Sequence, residues 1–354
     1  MTKLNFEEDT FKEFSDSFEE NSYKVSEYWD DYVNLIIGEI NKNKLQDFGT
    51  NRDLTKGFGD ALNIQKRPKL RKLLAFKFLY EPVEKFLTTK KQFKNQKEVF
   101  KSAFNFFSKH DFINKIANDL DITASELGIN RFNEINNKKV PWRYLQALAY
   151  IELLDTMFVK HSKDLCLIDI LDGNTIDIGG GYGPMIDTIN EFKNHNNIGK
   201  GSTDYLLEQY PVSFIANQYL KHRHGRIKSP ILRKDFKDTI NNNLSELRVI
   251  QSGFVKHIDN LDIKFYFNSN SFQEMNKSQV LEYCEFIKRN KAEESFLGIF
   301  HYEDSVEVNK IDQLWLVNNK HGYIEMFKDE FNLIEDFNFE LHGFVSGTIY
   351  LFKL

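Results

Sequence analysis

A chain of 354 residues, 41% hydrophobic and 28% charged, has enough apolar material for a sizeable core, and at roughly 100–200 residues per domain it divides into two domains or one with an extension. A formal net charge of −5 argues against nonspecific nucleic-acid binding, which needs a basic surface. No apolar run reaches the ~20 residues of a membrane span, Met1–Glu20 is acidic with no apolar signal region, and Cys166 and Cys284 have no metal-ligand spacing. The expectation is a cytoplasmic globular protein with buried free thiols and neither a disulfide framework nor a zinc site.

In chain order, Phe11 to Val159 reads as helical, with no convincing strand. Trp29, Val33, Ile36, Ile37 and Ile40 recur at helical spacing with acids on the other faces. Asn51–Gly59 reads as a loop, Lys69–Thr88 as a buried helix, and Thr123-Ala124-Ser125-Glu126 as a capping box before Gly128. After Pro141 a long apolar helix from Trp142 to Val159 leads into short apolar runs alternating with helices. The runs are Thr175–Ile178, Tyr205–Leu207, Leu247–Ile250, Ile263–Phe267 and Phe296–Phe300, with a last pair near Phe331–Leu341 and Thr348–Phe352. This is an α/β pattern of five parallel strands and a closing hairpin over 141–354, behind a helical domain over 1–140. Asn276 and Gln279 predict a capping box for a helix whose apolar face carries Val280, Tyr283, Cys284 and Ile287.

The chemistry concentrates after the first of these strands, where Asp177-Ile178-Gly179-Gly180-Gly181-Tyr182-Gly183 turns from strand to helix. Glycine suits a turn that needs positive φ and a close ligand. A dinucleotide fingerprint would require a third glycine at 184, where Pro184 stands. The pattern acid-x-G-x-G-x-G instead resembles motif I of the class I methyltransferases, whose cofactor, S-adenosylmethionine, has no pyrophosphate but carries an ammonium that Asp177 is placed to meet. Glu208 closes the next strand, where a carboxylate can accept the ribose hydroxyls. Ser252, Gly253 and Phe254, after the third strand, are candidates for the adenine side. The alternative is an unoccupied structural turn.

Beyond this turn, Ser26-Glu27-Tyr28-Trp29, Tyr210–Leu220 and Asn268–Met275 together resemble the bacterial sugar O-methyltransferase family that accompanies surface-polysaccharide and glycan gene sets. The likeness is good over the last two-thirds of the chain and poor over the first third. Where that family ends its second strand Asp-x-Pro, this chain has Glu208-Gln209-Tyr210-Pro211. The resemblance implies a Rossmann-like seven-stranded methyltransferase sheet with an N-terminal all-helical domain and S-adenosylmethionine as cofactor, S-adenosylhomocysteine being the product. It implies a sugar, nucleotide-sugar or glycan acceptor, with no nucleic acid and no membrane span.

On this resemblance Asn268 and Ser269 face the cofactor, and Asn270, Gln273 and Tyr302 the substrate. Glu274 is the first candidate for the base that takes the hydroxyl proton, its alternative being a helix N-terminal carboxylate. His301 is the second, as base or as metal ligand with Glu303 or Asp304, its alternative being a loop residue. A divalent metal is compatible but not predicted. The basic run Lys221–Lys228, continuing to Arg233-Lys234, reads as a solvated face, or else as a border of the substrate cleft suited to phosphates. The helical first third reads as a lid or a homodimerisation surface. A small-molecule O- or N-methyltransferase and a cofactor-binding module without turnover are the competing functions.

Overall fold

The computed structural model describes residues 4–21, 27–45, 48, 118–119, 132–135, 137–161, 166–232, 245–269, 271–301, 322–341 and 345–354. The expected loop Asn51–Gly59, the helix Lys69–Thr88 and the capping box Thr123–Glu126 lie outside these residues, as do Ser26, Arg233, Lys234, Asn270, Tyr302, Glu303 and Asp304.

Two helices open the chain, α1 (Glu8–Asn21) and α2 (Glu27–Asn43). Of the apolar stripe read in α2, Ile36 and Ile40 are fully covered, Val33 nearly so and Ile37 half-buried. One feature departs from the all-helical reading of this region: β1 (Phe132–Ile135) and β2 (Lys138–Pro141) pair antiparallel, with Ile135 opposite Lys138. Asn137 adopts φ 63°, a left-handed conformation that asparagine tolerates better than most residues. Strands of four residues are too short to show alternation, which is why the sequence pattern hid them.

From the long helix α3 (Trp142–His161) onward, helices and strands alternate: α4 (Leu167–Leu171), β3 (Asn174–Ile178), α5 (Pro184–Asn196), β4 (Thr203–Glu208), α6 (Val212–His224), β5 (Glu246–Gln251), β6 (Ile263–Ser269), α7 (Lys277–Asn290), β7 (Lys291–His301), α8 (Gly322–Glu330), β8 (Asn332–Leu341) and β9 (Val345–Lys353). Strands β3 to β9 form one sheet in the order β5-β4-β3-β6-β7-β9-β8. The first five are parallel, and β9 runs antiparallel to both its neighbours. Strand order reverses between β3 and β6, so the carboxyl ends of these two strands flank the crevice where ligands bind in open α/β sheets.

Both faces of the sheet are covered. Alternate strand residues such as Leu206, Phe265, Phe267 and Phe300 meet α3, α4, α5 and α6 on one side, with α1 and α2 joining the same cluster. Ile176, Leu207, Tyr266 and Leu297 meet α7 and α8 on the other. The predicted capping box is present: the Asn276 side-chain Oδ1 accepts from the Gln279 backbone N–H at 3.0 Å, and the Gln279 side chain accepts from the Asn276 N–H at 3.0 Å.

Candidate cofactor site

The turn after β3 is built by glycine for reasons visible atom by atom. Gly179, Gly181 and Gly183 have φ of 70°, 64° and 99°. A Cβ on Gly179 would fall inside the Ser271 side chain, and one on Gly180 inside the Asp177 carboxylate. The Gly179 N–H donates to Leu207 O at 2.8 Å, extending the β3–β4 ladder by one bond, and the Gly183 N–H donates to Gly180 O at 3.1 Å to close the turn. Helix α5 then starts from Gly183 with Pro184 in its first turn, where a missing N–H costs nothing.

Asp177 lies beneath this turn, fully buried, and neither carboxylate oxygen has a hydrogen-bond partner. Burial, with the nearby Glu208 charge adding to it, pushes its carboxyl well above the usual range. An unpaired buried acid costs free energy unless something completes it. Glu208 ends β4 on the same face. Its Oε2 accepts from Gly181 N–H at 2.8 Å and its Oε1 from Gln209 N–H at 2.7 Å. Burial raises its carboxyl to about 7, against the lowering effect of those two donors.

Across the switch point, Asn268 and Ser271 both donate to the last carbonyl of β3, Ile178 O, at 2.8 and 2.9 Å, and the Asn268 amide also donates to the Ser271 hydroxyl oxygen. Asn268 therefore braces the ends of β3 and β6 against one another, and Ser271, which the sequence reading passed over, shares that task. Ser269 closes β6. Gln273 and Glu274 sit in the short 3₁₀ turn that follows, Gln273 buried and Glu274 half-buried. Because α7 begins at Lys277 and Asn276 caps it, Glu274 stands two residues outside the helix.

A second residue missed from sequence is Gln251, the last of β5 and the register partner of Glu208. It is 1% exposed, and its amide oxygen and nitrogen both lack partners. The signal was available: a polar residue ends an apolar run, as Asp177 and Glu208 do. The following 3₁₀ turn, Ser252–His257, carries Ser252, Gly253 and Phe254, and the Phe254 ring is buried in the cluster with Ile178 and Leu207.

Two expectations take a different form. His301, at the end of β7, is 5% exposed, and its Nδ1 lies 2.9 Å from the hydroxyl of Tyr323 on α8, so the ring is engaged on the α7–α8 side of the sheet. The basic run after Leu220 is a solvated face only in part. Arg223 forms an ion pair with Asp187, and His224 bonds the same carboxylate at 2.7 Å; their side chains are only 3% and 15% exposed. Burial alone would favour neutral Asp187, but the Arg223 guanidinium and the bonds from Arg223 and His224 hold its carboxyl below the usual range. Lys221 pairs with Glu7, and Lys228 donates to Thr203 at 2.8 Å. Of the described members, Arg226 and Lys221 are exposed. The acids that pair with this run come from α5, β5 and the N-terminal segment, which no local pattern discloses. Asp187, Glu191 and His224 bring three ligand-type atoms within 4.8 Å of one another, a space in which Arg223 already supplies the positive charge.

Sheet order, strand polarity and the glycine turn define a Rossmann-like fold of the seven-stranded methyltransferase type, with two buried acids and a buried amide at the carboxyl ends of β3, β4 and β5. No protein-family model and no curated protein matches the chain. Among solved structures it is similar to the pyocyanin biosynthetic protein PhzM, at 10% identity and TM-score 0.35 over 59% of this chain and 56% of that one. It is also similar to a SAM-dependent methyltransferase from Aquifex aeolicus, at 13% identity and TM-score 0.36 over 58% and 97%. A third is magnesium protoporphyrin IX methyltransferase from Synechocystis PCC 6803 with bound SAM, at 10% and 0.35 over 69% and 97%. The chain spans little more than half the length of PhzM. At such overlaps the residues of the site, not the neighbours' chemistry, must carry a functional assignment.

Proposed function

We propose that the protein is an S-adenosylmethionine-dependent methyltransferase whose acceptor is a sugar hydroxyl. The observation that carries the cofactor is the fully buried, unpaired Asp177 carboxylate under a turn too tight for any side chain at Gly179 or Gly180. A ligand ammonium supplies the missing partner for Asp177. Glu208 accepts ribose hydroxyls, and the paired donor and acceptor of Gln251 suit the edge of the base. S-Adenosylmethionine, when bound, supplies an electrophilic methyl group on a sulfonium. The chain's own part is orientation: Asn268 and Ser271 hold the end of β3, and the turn presents backbone rather than side chains to the ligand. Glu274 is the group assigned to take the acceptor proton, with His301 as the alternative.

The sugar acceptor rests on the resemblance of segments Tyr210–Leu220 and Asn268–Met275, and the surface-glycan setting rests on the same likeness. The decisive experiment has two arms. Calorimetry should show S-adenosylhomocysteine binding that Asp177→Ala weakens by roughly tenfold or more, about 1.4 kcal/mol, in a folded variant. Incubation with methyl-labelled cofactor and a panel of nucleotide sugars and oligosaccharides should place label on a sugar oxygen. Binding unchanged by Asp177→Ala removes that acid from the site. Label appearing only on non-sugar acceptors replaces the substrate, and product bound without any turnover leaves a binding module.

A further inference from the structure

The glycine turn carries a single side chain, Tyr182, and that side chain does not face the crevice. It is 2% exposed and packs edge-on against Tyr219 of α6 at 4.9 Å and against Phe48 of the N-terminal segment at 5.8 Å. Phe48 also lies 5.8 Å from Tyr219, whose hydroxyl is 2.9 Å from that of Tyr144, and Tyr144 donates to Asp187 on α5. The second acid-bearing segment is backed in the same way. Tyr210, two residues after Glu208, packs against Phe18 of α1 at 5.1 Å and Phe11 at 6.2 Å, with the Ser15 hydroxyl among the neighbours of its own hydroxyl. Helix α1 is fastened there by Ser17, which donates to Leu232 O at 3.1 Å, and by the Glu7–Lys221 pair.

We propose that the N-terminal helices are a built part of the cofactor site, with Phe48 fixing the glycine turn through Tyr182 and α1 fixing the Glu208 segment through Tyr210. This rests on the reading that the crevice binds S-adenosylmethionine. The physical argument is entropic. A turn with three glycines at positive φ has little stiffness of its own, so the 2.8 Å bond between Gly181 N–H and Glu208 persists only if both segments are held from behind. Aromatic side chains do this well because burying a ring costs few rotatable bonds. Phe48, Phe18 and Ser15 are thus positioning residues, and the N-terminal region is more than a detachable cover.

The test measures S-adenosylhomocysteine affinity and steady-state kinetics in the full chain. Phe48→Ala and Phe18→Ala should each weaken binding about tenfold and raise KM for the cofactor with kcat nearly kept, as expected when ordering is lost from a binding segment. Phe48→Tyr, which keeps the ring, should restore most of the affinity. Ser15→Ala removes one hydroxyl from an otherwise intact helix and should cost about threefold. The control is Leu171→Ala in α4, a buried core residue that precedes β3 at the opposite end of that strand from the turn, which should lower Tm comparably and leave affinity unchanged. Variants at Phe48, Phe18 and Ser15 that bind like the unsubstituted protein, or a Leu171→Ala that weakens binding equally, overturn the proposal. Failure of the unsubstituted protein to bind overturns the cofactor reading and this proposal with it.

Discussion

At the residue scale the site is a problem of buried charge. Glu208 has a carboxyl raised to about 7 from an ordinary 4.5 because it is desolvated. A carboxyl raised on folding favours the folded state only while protonated. Its contribution is complete below about 4.5 and is lost as pH rises through 7, on the order of 3 kcal/mol at full ionisation. Glu208→Gln should therefore narrow the fall in Tm between pH 5 and pH 8. On the proposed ribose contact, hydroxyls would donate to the ionised form, so binding should release a proton near neutrality. Calorimetry of S-adenosylhomocysteine should show affinity rising with pH up to about 8, with an enthalpy that depends on the buffer's own ionisation heat. A flat profile in both measurements removes Glu208 from ribose recognition. Glu274 offers a cleaner kinetic experiment than its sequence neighbours, because Asn276 already caps α7 and Glu274 stands outside the helix. Glu274→Gln should lower kcat roughly 10²–10⁴-fold with product affinity kept; an unaltered kcat moves the assignment to His301.

The elements obey local chemistry where their partners are local. Asn276, Gln279 and the apolar face of α7 were readable because a capping box is closed within four residues and a helix face repeats every 3.6. Asn276→Ala should cost about 1 kcal/mol, seen as a lower urea midpoint at unchanged m-value. Helix α6 shows the opposite case. Its first nine residues are all buried, polar Ser213, Asn217 and Gln218 included, because the sheet lies on one side and α1 on the other, with Phe11 against Phe214 at 5.0 Å. A helix covered on both sides has no amphipathic signature to read. The β1–β2 hairpin went unread for a related reason, since four-residue strands show no usable period.

Over the whole molecule, polar networks tie together elements far apart in sequence. At the end of the sheet away from the crevice, Lys193 of α5 and Asp204 of β4 form an ion pair with no solvent exposure. Asp204 also accepts from Thr175, Asn190 and Ser245 at 2.6, 2.7 and 2.6 Å, and Lys193 donates to Gly173 O at 2.6 Å. Every member has partners, so the pair knits β3, β4 and α5 at small net cost, but losing one charge strands the other. Lys193→Met should destabilise by about 3–5 kcal/mol in thermal or urea unfolding. A loss under 1 kcal/mol would show that Asp204 is neutralised without Lys193.

The division between what was legible and what was not follows the range of the interactions. The seven sheet strands, the glycine turn with Asp177 and Glu208 beside it, and the capped α7 follow from sequence alone, because alternation, positive φ and capping are settled among residues a few positions apart. The partners of Arg223 and His224 on α5, the pairing of His301 with Tyr323, the bracing by Ser271, the isolation of Gln251 and the anchoring of Tyr182 by Phe48 were decided only in three dimensions. Each joins residues from different elements, and which side chain meets which depends on how helices pack on the two faces of the sheet, a choice that no local pattern encodes.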